Sequence, residues 1–384
     1  MTFYFCILFV TILLCFIRRS YKVTIIKNCL SVNISHVLFC SVVLFLTFIV
    51  GFRDTTVGTD TSHYAYGYTY IASRELNLDV LFGYSAPLYT LLCKGLSYIS
   101  IDDVVLRIVS AIITYFCFYK LIKKSSPNPF ISLYLLIAFF YFTASMNASR
   151  QVLATSIACL GLIQLLKNNK VLCGFLLLFV ASAIHLSVAV FFIAPITFFL
   201  FKKLNLLSTF ILSLVLAILV SIAYKNILTF FSDYFIHYKL YTSGDRFNVF
   251  YTDYKSNLFP LYLFYFECIV IYVLSSLNNC KNQTNKVLLP LLTFASVFGI
   301  LNPFNEIIFR VVFPIFFLMI IFIPNTVYEQ NCQIKTLLIT IIFFVGFACF
   351  TYSMLRGWHG VIPYTSIFSK FIPNLTNSYI VEQF

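Results

Sequence analysis

Apolar runs of sixteen to twenty residues recur along the chain, cut by short basic clusters and by stretches rich in tyrosine and threonine. A helix needs about 20 residues to cross a hydrocarbon core about 30 Å thick, and these runs fit that length. The alternating segments of about 10 residues that mark a membrane β-barrel are missing. The pattern predicts helices over 2–17, 34–52, 104–122, 130–146, 150–166, 171–185, 186–201, 206–223, 259–277, 287–301, 307–324 and 336–352. The fold class is therefore an all-α polytopic membrane protein of about 12 transmembrane helices, with outer amphipathic helices and loops.

Basic clusters set the orientation. Arg18, Arg19, Lys22 and Lys27 follow the first run; Lys120, Lys123 and Lys124, then Lys167 and Lys170, then Lys202 and Lys203, then Lys281 and Lys286 follow later ones. Placing all of them on the cytoplasmic side obeys the positive-inside rule and puts both termini outside. The chain, 1–384, then reads as a single integral membrane domain with a first outer loop at 53–103 and a second at 224–258.

Two segments resist a simple crossing. In "PLYTLLCKGLSYIS" (87–100), Leu88, Leu91, Leu92, Leu96 and Ile99 recur at helical spacing, and a crossing there would throw Lys123 and Lys124 outside. An amphipathic helix at the outer interface satisfies both facts. The run 171–201 would make one helix about 46 Å long, so two short helices are expected, joined by a turn at "AIHLS" that dips into the outer half of the membrane.

Composition agrees. The 384 residues are 61% hydrophobic and only 10% charged, against about a quarter charged in a soluble domain. The net charge of +13 comes from lysines in short loops, where topology demands them, so nucleic acid is not the partner it points to. The opening "MTFYFCILFVTILLCFIRRS" carries its positive charges after the apolar run, which predicts a retained first helix rather than a cleaved leader. The 12 cysteines show no CxxC pair and no zinc spacing, and read as packing thiols.

Arginine breaks the pattern. Arg53, Arg74, Arg107, Arg150, Arg246, Arg310 and Arg356 all fall outside or near outer helix ends. Topology does not require them there. A guanidinium is a planar fork of donors that matches phosphate oxygens, so the set points to an anionic lipid headgroup such as a diphosphate. Interfacial snorkelling, or pairing with Asp54, Glu75 or Glu306, is the alternative for any one of them.

Four further stretches carry candidate chemistry. In "GFRDTTVGTDTSHYAYGY" (51–68), Asp54 and Asp60 beside tyrosines suit sugar hydroxyls, or else cap a loop. "NASRQ" (147–151) opens a helix that Asn147 or Ser149 would cap, making an anion-favouring corner with Arg150. His185, alone in an apolar hairpin, is either a packing residue or a general base. "NPFNEIIFR" (302–310) sets Glu306 and Arg310 four apart, either as a helix pair or at the mouth of a site.

In order, "FRDTTVGTDTSHYAYGY", "SAPLYTLLCKGLS", "ASRQVLATSIACLGLIQLLKNNK" and "ASAIHLSVAVFFIAP" resemble the EpsG/O-antigen polymerase (Wzy) family of bacterial polysaccharide synthesis. The family pattern falls on Arg53, Gly58, Asp60, Tyr64, Arg150, Gln151, His185, Ser187 and Arg310, over about residues 40 to 325. "SAP" at 85–87 departs from it where relatives have an acidic residue, so no carboxylate role is transferred there.

The resemblance implies a glycosyltransferase that joins undecaprenyl-diphosphate-linked oligosaccharide repeat units on the outer, periplasmic face of the inner membrane and releases undecaprenyl diphosphate. It implies no cofactor and no metal, with a chain-length regulator and a flippase of the same pathway as partners. Arg53, Arg150 and Arg310 are expected to hold the diphosphate. His185 or Asp60 is expected to take the acceptor's proton, while Tyr64, Gln151 and Glu306 meet the sugars. A lipid-linked oligosaccharide flippase, an O-antigen ligase and a metal-dependent lipid-linked-sugar glycosyltransferase are the rival readings.

Overall fold

The computed structural model describes residues 1–16, 22–25, 30–83, 86–167, 170–196, 203–234, 258–277, 282–303 and 306–371. Arg18, Arg19, Lys27, Lys202, Arg246 and Lys281, with most of the second loop, lie outside the described residues. The helices are α1 (Thr2–Cys15), α2 (Ile34–Gly51), α3 (Thr61–Ala72), α4 (Leu78–Gly83), α5 (Pro87–Ser97), α6 (Val104–Ser125), α7 (Pro129–Ala138), α8 (Tyr141–Asn147), α9 (Ser149–Lys167) and α10 (Val171–Ile184). There follow α11 (Leu186–Ile196), α12 (Leu206–Tyr234), α13 (Phe259–Ser276), α14 (Gln283–Leu301), α15 (Glu306–Phe316), α16 (Met319–Tyr328) and α17 (Cys332–Leu355). Among the described residues one antiparallel pair of strands, β1 (Lys22–Ile25) and β2 (Leu30–Asn33), interrupts this helical architecture.

Each apolar run drawn from the sequence begins on one of these helices. Six of them, α2, α6, α12 to Tyr224, α13, α14 and α17, are long and apolar enough to cross a membrane. Counting the bent pairs α7–α8 and α15–α16 as one span each gives eight, below the expected twelve. The difference comes from α1, α10 and α11, which are short, and from α9, whose face is more polar and mostly buried. Outward faces of α2, α10, α12 and α17 expose Leu44, Leu172, Ile222 and Phe344, as helices surrounded by lipid do.

The helices run between two chemically different ends. Asn33, Asn128, Asn282 and Asn331 cap α2, α7, α14 and α17 through their side-chain oxygens, satisfying backbone N–H groups that a helix start leaves open. This is the lysine end: Lys123 and Lys124 close α6, and Lys335 lies in the first turn of α17 over the Tyr328 ring. Asn325 of α16 reaches the Ser125 carbonyl there at 3.2 Å. The opposite ends of α2, α6, α9, α10, α15 and α17 carry or adjoin Arg53, Arg107, Arg150, His185, Arg310 and His359.

Broken helices shape that second end. Phe140, with φ 52, separates α7 from α8, which bend by 56°. Where α15 and α16 bend by 45°, the Tyr141 hydroxyl donates to the Phe316 carbonyl at 2.8 Å and pairs with the Tyr265 hydroxyl at 2.5 Å. A break inside an apolar core leaves carbonyls unpaired; Tyr141 supplies a partner for that of Phe316, and Tyr265 pairs with the Tyr141 hydroxyl. α9 and α10 pack backbone to backbone: a Cβ on Gly174 would lie 2.5 Å from the Leu165 Cβ.

The 171–201 run breaks at His185, whose backbone is extended (φ −152, ψ 115) between α10 and the tight 3₁₀ turns that open α11. In α5, Tyr89, Cys93 and Leu96 face the protein while Leu91 and, just beyond the helix, Ile99 stay exposed. The leucine stripe is therefore divided: Leu91 and Ile99 look outward, while Leu88, Leu92 and Leu96 pack against the core.

Candidate functional site

The polar stretch after α2 is clamped from two sides. The segment after α17 pairs with it as an isolated bridge between Arg53 and Ser366; Asp54 N–H donates to the Thr365 carbonyl at 2.9 Å and Ile367 N–H to the Phe52 carbonyl at 3.0 Å. Further on, Gly58 N–H meets the Gly360 carbonyl at 2.9 Å and Thr59 N–H the His359 carbonyl at 3.2 Å. From the other side, the Asn147 Oδ1 accepts from the Thr59 hydroxyl at 2.9 Å and the Asp60 N–H at 2.8 Å. Asn147 thus ties two loops together instead of capping α9. Gly58 has φ +96, and a Cβ there would meet the Met146 carbonyl at 2.5 Å, so the turn needs glycine.

That clamp presents Asp60 and Tyr64. Asp60 sits at the N-cap of α3, yet its carboxylate makes no capping bond, and it is partly exposed. Asp54, by contrast, is buried and its Oδ1 accepts from Thr55 N–H at 2.6 Å, a local loop bond. One turn into α3, the Tyr64 hydroxyl is enclosed while part of its ring stays accessible; burial raises its pKa to about 12, and Arg150, Asp60, Arg310 and Arg53 all act on it. Arg150, at the start of α9, lies over the Tyr89 ring at 5.4 Å, and Tyr89 stands edge-on to Tyr64 at 6.4 Å. The Arg150 Nε is buried with no hydrogen-bond partner.

His185 joins from α10. Arg150 and Arg310 are the two cations that act on its ring, and its Nδ1 lies 2.8 Å from the Ser187 hydroxyl. Gln151 Nε2 donates to that same hydroxyl at 3.2 Å and to the Arg310 carbonyl at 2.9 Å. The reason lies four residues along α15: Pro314 has no N–H to offer the Arg310 carbonyl. Gln151 replaces the missing donor and so fixes where Arg310 leaves α15. Replacing the buried Gln151 by leucine is expected to destabilise the purified protein by about 1–3 kcal/mol, the penalty for an orphaned buried carbonyl. Thermal unfolding in detergent measures it, and an unchanged midpoint would show that the carbonyl finds another partner.

Arg53 occupies a different position from the one its expected role needs. It is 1% exposed, donates to the Val50 carbonyl and accepts, through its own carbonyl, a bond from Arg107. Arg107 in turn pairs with Asp103, Nε to Oδ2 2.9 Å. Arg53 and Arg107 line a small cavity of about 10 Å³ with Ser110, Thr114, Ser145 and Ser149. Burial, and then Arg107, lower the Arg53 guanidinium to about 10, so it stays charged at neutral pH. Its field reaches Tyr64, but its side chain stands behind the loop.

Arg74 and Arg356 lie over Tyr70 and Tyr352 of their own helical turns, and Arg310 is exposed. The side chain of Glu306, like Arg246, lies outside the described residues. Among the described residues no group of three His, Cys, Asp or Glu is placed to hold a metal. Sequence reading missed Asn147 as a loop tie, Arg107 as the neighbour of Arg53, and His359. Only the positively signed backbone at Gly357, His359 and Gly360 has a local signature, the "RGWHG" stretch at 356–360.

The broken helices of this membrane protein gather guanidinium, carboxylate, imidazole and tyrosine groups at the end opposite the one where Lys123, Lys124 and Lys335 lie. The profile of the EpsG family matches residues 36–366, and the chain belongs to that family. Membership suggests a polysaccharide-polymerase type of function. No curated protein and no solved structure matches the chain.

Proposed function

We propose that the protein is a polymerase that joins undecaprenyl-diphosphate-linked oligosaccharide repeat units, of O-antigen or a related surface polysaccharide, on the outer face of the bacterial inner membrane. The observation that carries this reading is one cluster: Arg150 lies over the Tyr89 ring at 5.4 Å, Tyr89 stands edge-on to Tyr64 at 6.4 Å, and Asp60 begins the helix that carries Tyr64. Cations, a carboxylate and aromatic rings are what a diphosphate joined to a sugar requires. The lysines at the far helix ends support an outward-facing site through the positive-inside rule.

In this mechanism the acceptor hydroxyl oxygen attacks the anomeric carbon of the growing chain, and the bond from that carbon to the diphosphate oxygen breaks. Undecaprenyl diphosphate leaves with the bonding electron pair. Arg150 and Arg310 meet the charge that grows on the leaving oxygens, where fixed donors act most strongly. Arg53 adds its field from behind. Asp60, with His185 as the other candidate, takes the acceptor proton. Gln151, expected to meet sugar, serves through its amide nitrogen to place Arg310 and Ser187.

The test is the surface polysaccharide of a strain lacking the protein. Single capped units are expected. Loss of all units would replace this reading with a flippase, and unattached polymer with a ligase. Polymerisation by the purified protein is expected to continue in excess chelator, and its loss there would favour the metal-dependent glycosyltransferase.

A further inference from the structure

We infer that His359 is a positioning residue that holds the Asp60 loop in working geometry through Asn147, an inference that rests on reading Asp60 as the proton acceptor. The hydrogen bonds fix the direction of this link. Asn147 Oδ1 already accepts from Asp60 N–H and the Thr59 hydroxyl, so its amide orientation is set and Nδ2 is the atom turned to His359 Nδ1, 3.4 Å away. An amide nitrogen only donates. Nδ1 must therefore be the acceptor, and the ring proton belongs on Nε2. Burial brings His359 down to about 4, which leaves the imidazole neutral and able to accept at physiological pH.

The backbone makes the same connection. His359 has φ 66, between Gly357 at 63 and Gly360 at 59. A side chain larger than glycine is disfavoured in this region, so something must repay its presence. Its carbonyl accepts from Thr59 N–H at 3.2 Å, the Val361 carbonyl accepts from the Tyr4 hydroxyl at 2.8 Å, and the His359 ring packs against Phe140 at 6.4 Å. A glycine at 359 would hold that backbone with less strain, but only a side chain with an acceptor can pair the Asn147 Nδ2 and so brace the amide that holds Thr59 and Asp60. The acceptor accounts for the residue.

Two variants separate these roles. Asparagine tolerates the left-handed region and carries an oxygen close to where Nδ1 stands, whereas glycine keeps the backbone and removes the acceptor. Hydrogen exchange at the 58–61 amides in the purified protein reads the loop directly. In His359→Gly it is expected to rise by about three- to tenfold, the range set by one lost hydrogen bond. In His359→Asn it is expected to match wild type. Polymerisation should follow, with kcat falling in His359→Gly, KM unchanged because Arg150 and Arg310 are intact, and activity restored in His359→Asn. Unchanged exchange in His359→Gly, or equal loosening in both variants, would overturn the inference. A loosened loop in a protein whose wild type polymerises nothing would instead remove the polymerase reading and leave the structural link standing.

Discussion

Arg150→Ala is expected to reduce surface polysaccharide to single repeat units while the protein stays in the membrane at normal abundance. The Arg150 Nε makes no bond to the rest of the protein, and the group is held by its stack on Tyr89, so its removal breaks little that the fold uses. In the proposed mechanism its loss falls on the leaving diphosphate. Removing one donor from a developing oxyanion typically lowers kcat by about 10²–10³-fold, and removing a whole charged fork belongs at the upper end of that range. Arg150→Lys keeps the charge but not the planar pair of donors, and is expected to recover only part of the activity. Gel ladders of the polysaccharide, with immunoblots of membrane fractions, check both variants. A normal ladder from Arg150→Ala would take the residue out of the site.

What made Arg150 legible in the sequence was its conflict with topology. Lysines obey a simple electrostatic rule, so a guanidinium at the wrong end of a helix asks for another explanation, and "ASRQ" could be singled out without any structure. The apolar runs were equally open to reading, because a hydrocarbon core imposes one length on every crossing. The crossing count was not. Whether α9, α10 and α11 span, re-enter or lie buried depends on which neighbours cover them, and neighbours are set by packing that no single run records. The same limit hid the C-terminal clamp. His359 and Asp60 are some three hundred residues apart in the chain, and nothing local in "RGWHG" announces a partner beside α3. Arg53 shows the same limit: its residue type stands out in the sequence, but its burial behind the loop, beside Arg107 of α6, does not.

Asp60→Asn is expected to abolish polymerisation where His185→Gln does not. A proton taken up by His185 would place a third positive charge beside Arg150 and Arg310, at a ring already engaged by Ser187. Asp60 faces no such repulsion: its carboxylate is uncommitted to the α3 cap, is partly exposed, and acts on the Tyr64 hydroxyl that Arg150 and Arg310 also reach. Proton transfer to a placed base contributes about 10²–10⁴-fold, and asparagine keeps the shape of the side chain while removing the basic oxygen, so kcat should fall by that factor with KM preserved. Glutamine at 185 can still donate and accept one hydrogen bond, and is expected to retain at least about a tenth of the activity, the loss of one neutral hydrogen bond, whereas His185→Ala, which also empties the contact to Ser187, should be severe. Steady-state kinetics with lipid-linked repeat units decide between the two groups. Should His185→Gln be inert and Asp60→Asn active, the imidazole is the base, and the carboxylate only binds sugar.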